Sequence, residues 1–323
     1  MQTRLVGRRP VVAPAELVAS LAPPPHFAHA TFESYVPDVA YPSQAAARAA
    51  AQRFAEGSVG RKRPSAGKGL YLDGGFGVGK THLLAAMART GGDGASFGTF
   101  LEYTGLVGAL GFAAARDALK TFGLVCIDEF ELDDPGDTLL MARLMRELAD
   151  AGVAVAATSN TPPGALGEGR FAADDFRREI QSLASRFTVQ TIDGPDYRHR
   201  DALADVSPAS ADEAAKVAHE AGGVVEDWRS LIADLAKVHP SRYAAYIEGV
   251  EALGLTGVSP LEDQNQALRL VMLVDRLYDA DVRIVAAGEP LSAVFAPDML
   301  AGGYRKKYLR ALSRLHAMTA GGD

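Results

Sequence analysis

The stretch Gly74-Gly75-Phe76-Gly77-Val78-Gly79-Lys80-Thr81 fits the pattern G-x-x-x-x-G-K-S/T, which forms phosphate-binding loops. Glycine has no Cβ, so a loop rich in it bends tightly and turns its N–H groups toward phosphate oxygens. Lys80 adds a positive charge for the β- and γ-phosphates, and the hydroxyl of Thr81 is a ligand for Mg²⁺. These eight residues, together with His82, are the predicted contacts of a nucleoside triphosphate, with ATP and Mg²⁺ as the expected ligands.

The residues around this loop predict the α/β fold of a P-loop NTPase, in which a parallel sheet is flanked by helices. Leu70-Tyr71-Leu72 has the pattern of a short buried strand. Thr81 to Arg89 has the pattern of a helix, whose N-terminal dipole favours a bound anion. Short apolar strands alternate with helices up to residue 192, which is typical of a parallel sheet covered on both faces. The predicted strands are 70–72, 96–102, 124–127, 153–159 and 188–192.

Changes in composition along the chain predict three regions. Residues 1–30, with several prolines, are expected to form a flexible leader. Residues 31–205 are predicted to be the P-loop core, with an aromatic and proline-rich segment at its start. Residues 206–323 are predicted to be helix-rich, with one further strand over 282–287 and a basic helix near the end.

Composition also limits the class of protein. The chain has 323 residues, a net charge of −7 and a single cysteine, Cys126. One cysteine excludes an intramolecular disulfide and a Cys-based zinc cluster, so a cytoplasmic, reducing location is expected. No stretch reaches the ~18 uninterrupted apolar residues of a membrane span, so no integral membrane segment is expected. The acidic balance disfavours a protein that coats nucleic acid over its whole surface.

Two further strands end in polar residues suited to ATP hydrolysis. Residues 124–127 are apolar and are followed by Asp128 and Glu129, which is the Walker B pattern. Asp128 can hold Mg²⁺ through water, and Glu129 can polarise the water that attacks the γ-phosphate. The strand predicted over 153–159 is followed by Asn160, which fits the sensor-1 position that orients this water. An asparagine that only opens the proline turn after it is the alternative.

Four arginines are candidates for sensing the γ-phosphate. Arg186, at the end of a predicted helix, or Arg170, after a glycine-containing turn, would act as an arginine finger toward a neighbouring subunit. A homo-oligomer is therefore expected when ATP binds. Arg310 and Arg314 lie four residues apart on one face of the basic helix, and one of them would serve as sensor 2. The alternatives are helix-end cations for the first pair, and a solvated basic face or a nucleic-acid contact for the second.

The order of these motifs resembles that of AAA+ ATPases. Several short motifs resemble those of the ZapE family of bacterial cell-division ATPases, which is related to the mitochondrial AFG-type ATPases. They are Asp128-Glu129-Phe130, Thr158-Ser159-Asn160-Thr161-Pro162-Pro163, Asp196-Tyr197-Arg198-His199-Arg200, Val274-Asp275-Arg276-Leu277-Tyr278-Asp279 and Leu312-Ser313-Arg314-Leu315. Together with others they extend over nearly the whole chain beyond the leader. Relatives carry an arginine shortly before the residue equivalent to Phe176, where this chain has Asp174 and Asp175, so two arginine-finger candidates are kept.

The resemblance implies ATP-dependent remodelling of a protein partner, with a role in cell division at the ring formed by FtsZ. It also implies a cytoplasmic location, with peripheral association at the division site. Two other classes of function stay open. A nucleic-acid-associated AAA+ protein of the helicase-loader or initiator kind is favoured by Leu183-Ala184-Ser185-Arg186-Phe187, which resembles the arginine-finger segment of replication initiators. An ATP-binding adaptor switch with little hydrolysis is disfavoured by the presence of Glu129.

Overall fold

The computed structural model describes residues 4–58, 69–132, 135–166, 177–195 and 208–320. The chain divides into two compact units, each with its own sheet. The larger unit is Ala13–Arg200, and the smaller unit combines Met1–Val12 with Asp201–Asp323. The larger unit is thus inserted in sequence between the two parts of the smaller one.

The larger unit has a five-stranded parallel sheet with helices on its faces. Its strands are β1 (Gly69–Gly74), β2 (Ala95–Thr99), β3 (Leu124–Asp128), β4 (Ala154–Ser159) and β5 (Phe187–Ile192). Its helices are α1 (Pro14–Ala19), α2 (Pro42–Ser58), α3 (Lys80–Gly91), α4 (Phe100–Leu110), α5 (Phe112–Leu119), α6 (Pro135–Asp150) and α7 (Arg177–Ala184). The strand order is β2-β3-β4-β1-β5, so β4 lies between the strand of the phosphate loop and the strand of Asp128.

This arrangement confirms the predicted P-loop fold class. All five residues of β3 are buried, as expected for an apolar strand at the centre of a sheet covered on both faces. In the register of the sheet, Leu70 of β1 lies beside Ala156 of β4 and Thr188 of β5. Because the strands are parallel, the residues that follow β1, β3 and β4 meet at one edge of the sheet.

One predicted strand was too long. The strand expected over 96–102 ends at Thr99, and α4 begins directly after it. The cause is a capping box: Glu102 N donates to Thr99 Oγ1 at 3.2 Å, and Thr99 N donates to the Glu102 carboxylate at 2.7 Å.

The described part of the expected flexible leader is packed rather than loose. Leu17 in α1 and Leu21 after it are buried, and the carbonyl of Leu21 accepts a hydrogen bond from Phe97 N of β2 at 2.9 Å. Leu5 is completely buried in the core of the smaller unit. The prolines of this segment suggested a loose chain, but Leu5, Leu17 and Leu21 are all buried.

The smaller unit was predicted to be helix-rich with one strand, and that prediction was wrong in the strand count. It contains a parallel sheet of three strands in the order β6-β7-β8. These strands are β6 (Val224–Asp227), β7 (Ala252–Val258) and β8 (Arg283–Gly288). Its helices are α8 (Ala211–Glu220), α9 (Trp228–Leu235), α10 (Tyr243–Tyr246), α11 (Gln264–Asp279) and α12 (Arg305–Ala320). β6 is only four residues long and glycines interrupt β7, so neither has a clear strand pattern in the sequence.

In the part of the chain that the structure describes, the helices are all too short or too polar to cross a bilayer.

Candidate active site

The phosphate loop joins the end of β1 to the start of α3 and has the backbone that its glycines allow. Gly77 and Gly79 have φ angles of +80° and +85°, in the left-handed region. A Cβ on Gly79 would lie 2.4 Å from the ring of Tyr35, whose hydroxyl donates to the carbonyl of Val78 at 2.9 Å. The aromatic segment at the start of the core therefore supports the loop by direct contact, which leaves no room for a larger residue at position 79.

Lys80 is the first residue of α3, and its ammonium group lies over the loop. Its side chain is buried, and Nζ donates to the carbonyl of Gly74 at 2.8 Å and also to that of Gly75. A third hydrogen bond joins Nζ to Oδ1 of Asn160 at 2.9 Å. Lys80 thus connects the phosphate loop with the end of β4.

Thr81 and Asp128 also come together, although they are 47 residues apart in sequence. Thr81 Oγ1 lies 3.2 and 3.1 Å from the two carboxylate oxygens of Asp128, and the Thr158 hydroxyl donates to one of them. Burial raises the pKa of Asp128 to about 6, and the neighbouring charge of Glu129 acts in the same direction. A cation bound beside Asp128 would stabilise its charged form and so lower this pKa again. Thr81 and Asp128 are therefore suited to hold a cation.

Glu129 follows β3 in a backbone conformation that is uncommon for a residue with a side chain. Its φ is +53°, and Thr158 stabilises the turn: Glu129 N donates to Thr158 Oγ1 at 3.1 Å, and Phe130 N donates to the Thr158 carbonyl at 2.7 Å. Non-glycine residues held at positive φ occur preferentially at functional sites. Glu129 is partly exposed, while Phe130 after it is completely buried.

Glu131 is a site residue that sequence reasoning missed. It is buried, and it accepts hydrogen bonds from Ser159 Oγ at 2.9 Å, Asn160 N at 3.3 Å and Thr161 Oγ1 at 3.2 Å. A single carboxylate therefore holds the whole turn that carries Asn160. The available signal was its position between two apolar residues, Phe130 and Leu132, where a charged residue is unusual unless it is paired.

His82 was predicted to contact the nucleotide, and the structure places it against the N-terminal part of the core. Its Nε2 lies 3.0 Å from the carbonyl oxygen of Thr31 and 3.0 Å from Ser34 Oγ. Its ring is 5.8 Å from that of Tyr35, centroid to centroid. In this position His82 links α3 to the segment that supports the phosphate loop.

Arg186 does not join this cluster. Arg186 precedes β5, and its carbonyl accepts a hydrogen bond from Gly69 N at 2.7 Å, so it lies at the amino end of β1, opposite the phosphate loop. Arg170 lies outside the described residues. Arg310 and Arg314 lie in α12 of the smaller unit, where both pair with the carboxylate of Asp275.

The residues of the site fit a nucleoside triphosphate with Mg²⁺. The loop has positive φ angles, a position closed to any Cβ, and a buried ammonium group. Among the described residues, no group of three or more His, Cys, Asp or Glu side chains could hold a metal ion by itself. Mg²⁺ does not need such a group, because it usually binds one or two carboxylates together with water and substrate phosphates. Thr81 and Asp128 are a donor set of this kind.

The chain matches a protein-family model and is similar to several known proteins. The family model described as AFG1-like ATPase matches residues 11–222 and 204–322. The cell division protein ZapE of Escherichia coli K12 is 26% identical over 298 residues, which covers 78% of each chain. The chromosomal replication initiator DnaA of Xanthobacter autotrophicus is 34% identical over 148 residues, covering 43% of this chain and 28% of DnaA. Among solved structures, DnaI matches with a TM-score of 0.42 and 20% identity, covering 52% of this chain and 94% of DnaI.

Proposed function

The chain belongs to the AFG1-like ATPase family, and we propose that it hydrolyses ATP in the presence of Mg²⁺ at the site described above. The observation that carries the proposal is the position of Lys80 Nζ. It donates to the carbonyl of Gly74 in the phosphate loop and to Oδ1 of Asn160 at the end of β4. The Lys80 ammonium group thus links the phosphate loop, which would hold the phosphates, to Asn160, which would orient the attacking water.

The residues of the site have separable tasks in this proposal. The loop N–H groups and Lys80 would bind the β- and γ-phosphates. Thr81 and Asp128 would hold Mg²⁺, which when bound withdraws charge from phosphate oxygens. Glu129, partly exposed beside Asp128, would polarise the attacking water as a general base.

The test of hydrolysis is the substitution Glu129→Gln. We expect ATP binding to be retained and turnover to fall by about 10²-fold or more, since general-base catalysis contributes 10²–10⁴-fold. Glu220→Gln, on the exposed surface of α8, is the matched control and should leave both unchanged. A turnover rate that Glu129→Gln does not change would remove Glu129 from the mechanism. Nucleotide binding with negligible turnover in the unmodified protein would favour the adaptor switch.

We further propose that hydrolysis drives remodelling of a protein partner and that the active form is a homo-oligomer. The similarity to the E. coli protein named for cell division supports a role in that process, with FtsZ as the first partner to test. The position of Arg186 supports a contribution in trans, because the amino end of β5 is distant from the phosphate loop of the same unit. Turnover per protomer should then rise with protein concentration and be lost in Arg186→Ala. A flat concentration profile in both proteins would exclude this role.

A second candidate function is that of a nucleic-acid-associated ATPase. The identity of 34% with a replication initiator over 148 residues favours it, whereas the net charge of −7 disfavours it. Stimulation of ATP turnover by single-stranded DNA, with a steep dependence on salt concentration, would support this function. Turnover that responds to FtsZ and not to DNA would exclude it.

A further inference from the structure

The N-terminal residues 4–9 are bound by two buried carboxylates of the smaller unit. The first is Glu226 in β6, whose side chain is 0% exposed. It accepts hydrogen bonds from the backbone N–H groups of Leu5 and Val6, the latter at 3.2 Å, and from the guanidinium of Arg4 at 3.1 Å. Both oxygens of this carboxylate are therefore used by the N-terminal segment.

The second carboxylate is Asp234 in α9, whose side chain is 4% exposed. It accepts from Gly7 N at 3.0 Å and from the guanidinium of Arg9 at 2.7 Å. The Tyr246 hydroxyl donates to the same carboxylate at 3.0 Å. Hydrogen bonds to a charged carboxylate are stronger than those between neutral groups. Each of the two carboxylates accepts such bonds from both the backbone and an arginine side chain of the N-terminal segment.

The segment between these anchors forms a turn. Arg8 N donates to the carbonyl of Leu5 at 2.9 Å, and Gly7, the third residue of the turn, has a φ of +95°. A positive φ at this position is typical of a type II turn and requires glycine. The Arg8 guanidinium donates to the carbonyls of Tyr246 at 2.9 Å and Glu248 at 3.0 Å. Leu5 is completely buried in the same apolar core as Trp228.

These contacts have the form of a bound peptide rather than of a strand or helix of the fold. Residues 4–9 pair with no strand, and they are bound through the buried Leu5 with Val6 packed against the same core, through backbone N–H groups and through three arginines. Val11, just after this segment, is 89% exposed, and the larger unit begins at Ala13. The match to the family model begins at residue 11, after this segment.

We propose that the smaller unit carries a peptide-binding site for a short basic segment, and that residues 4–9 of the same chain occupy it. The site consists of Glu226, Asp234 and the carbonyls of Tyr246 and Glu248, together with the apolar pocket for leucine. Its ligand is the sequence Arg-Leu-Val-Gly-Arg-Arg, in which the valine packs against the same core as the leucine. Occupancy joins the two parts of the smaller unit, which the whole larger unit separates in sequence.

The test uses a protein that starts at Pro10 and an acetylated peptide of residues 4–12 with a C-terminal fluorophore. We expect saturable binding to the truncated protein by fluorescence anisotropy, and at least ten-fold weaker binding to the full chain, whose site is filled. Glu226→Gln in the truncated protein should weaken binding at least ten-fold. Glu251→Gln, an exposed carboxylate of the same unit, is the matched control and should not change it.

Two results would overturn the proposal. One is the absence of saturable binding to a truncated protein that still unfolds cooperatively. The other is equal binding to the truncated and the full chain, which would mean non-specific attraction of a basic peptide to an acidic protein. A scrambled peptide of the same composition distinguishes recognition from charge alone.

A second experiment applies if the truncated protein does not fold. A protease site is inserted between Val12 and Ala13 of the full chain, and the protein is cleaved after folding. We expect the N-terminal fragment to remain bound during gel filtration and to be displaced by excess peptide of residues 4–12. A fragment that is released at once and does not rebind, or that excess peptide never displaces, would contradict an exchangeable peptide site.

Discussion

The ammonium group of Lys80 donates a hydrogen bond to Oδ1 of Asn160 at 2.9 Å across 80 positions of sequence. This contact joins the start of α3 to the end of β4, two elements that the parallel sheet brings to one edge. Lys80 is buried and also donates to two loop carbonyls, and its hydrogen bond to Asn160 fixes both side chains where ATP would bind. Nucleotide phosphates would compete for the same ammonium group.

Asn160→Ala is expected to lower ATP turnover by about ten-fold to a hundred-fold while changing ATP affinity only slightly, because one water-positioning hydrogen bond is lost and Lys80 keeps two carbonyl partners. Steady-state kinetics and nucleotide binding measure the two effects separately. Asn265→Ala, on the exposed start of α11, is the matched control. An equal loss of affinity and turnover would show that Asn160 acts in binding instead.

Glu131→Gln is expected to lower turnover because a neutral amide holds the turn over Ser159–Thr161 less firmly than a carboxylate does. Glu131→Ala should also reduce the free energy of unfolding by about 1–3 kcal/mol, since buried donors lose their acceptor. The two variants distinguish a role of Glu131 in positioning Asn160 from a role in folding. If it positions Asn160, Glu131→Gln should change kcat with little shift in Tm. A Tm loss as large as that of Glu131→Ala, with kcat unchanged, would make Glu131 purely structural.

Gly79→Ala is expected to abolish ATP binding and to destabilise the larger unit by about 1–3 kcal/mol, because φ is +85° and the new Cβ would contact the Tyr35 ring at 2.4 Å. Gly57→Ala in α2 is the matched control, since nothing lies within 4 Å of its Cβ position. That change should stabilise the protein by roughly 0.5–1 kcal/mol, as alanine favours a helix over glycine. Thermal unfolding and ATP binding of the two variants measure the difference.

Asp275→Asn is expected to destabilise the smaller unit by about 3–5 kcal/mol, because Arg310 and Arg314 both pair with this carboxylate, whose side chain is 13% exposed. Urea unfolding measures this loss.

If Arg314 also serves as sensor 2, Arg314→Ala should lower ATP turnover more than its effect on stability explains. Turnover that follows the folded fraction alone would leave the arginine with a structural role.

Asp234 predicts a pH dependence of stability. The hydrogen bond from Arg9 is the main cause that lowers the pKa of Asp234 to about 2, below the value of about 3.9 in an unfolded chain. The carboxylate therefore stabilises the folded state fully above about pH 4, and this contribution disappears as the pH falls through about 2. The difference in unfolding free energy between the protein and Asp234→Asn, on the order of 2 kcal/mol at neutral pH, should shrink over that range. A difference that does not change between pH 7 and pH 2.5 would contradict the assignment.

The candidate nucleotide site could be proposed from the sequence because its residues are concentrated in short local patterns. The residues from Gly74 to Thr81, and Asp128 with Glu129, lie where a strand ends and the next element begins. The strand that ends at Asp128 begins with four apolar residues, and all of its residues are buried. The arginine assignments stay predictions, since an arginine that acts between subunits has no pattern within one chain.

The features that the sequence did not predict depend on contacts between residues that are distant in sequence. Glu131 gains its role only because β4 lies beside β3 and brings Ser159 and Thr161 to it. The leader appeared loose because Arg4 and Arg9 give no sign that buried carboxylates more than 200 positions away will bind them.

The sequence by itself determined the elements that local chemistry specifies: the glycines of the phosphate loop, the apolar strands and the acidic pair after β3. Tertiary structure decided which residues meet. A hydrogen bond or ion pair forms where the fold brings two groups into contact, and local periodicity contains no information about a partner in another element. For that reason the strands of the smaller unit, the anchoring role of Glu131 and the capture of the N-terminal segment emerge only from the folded chain.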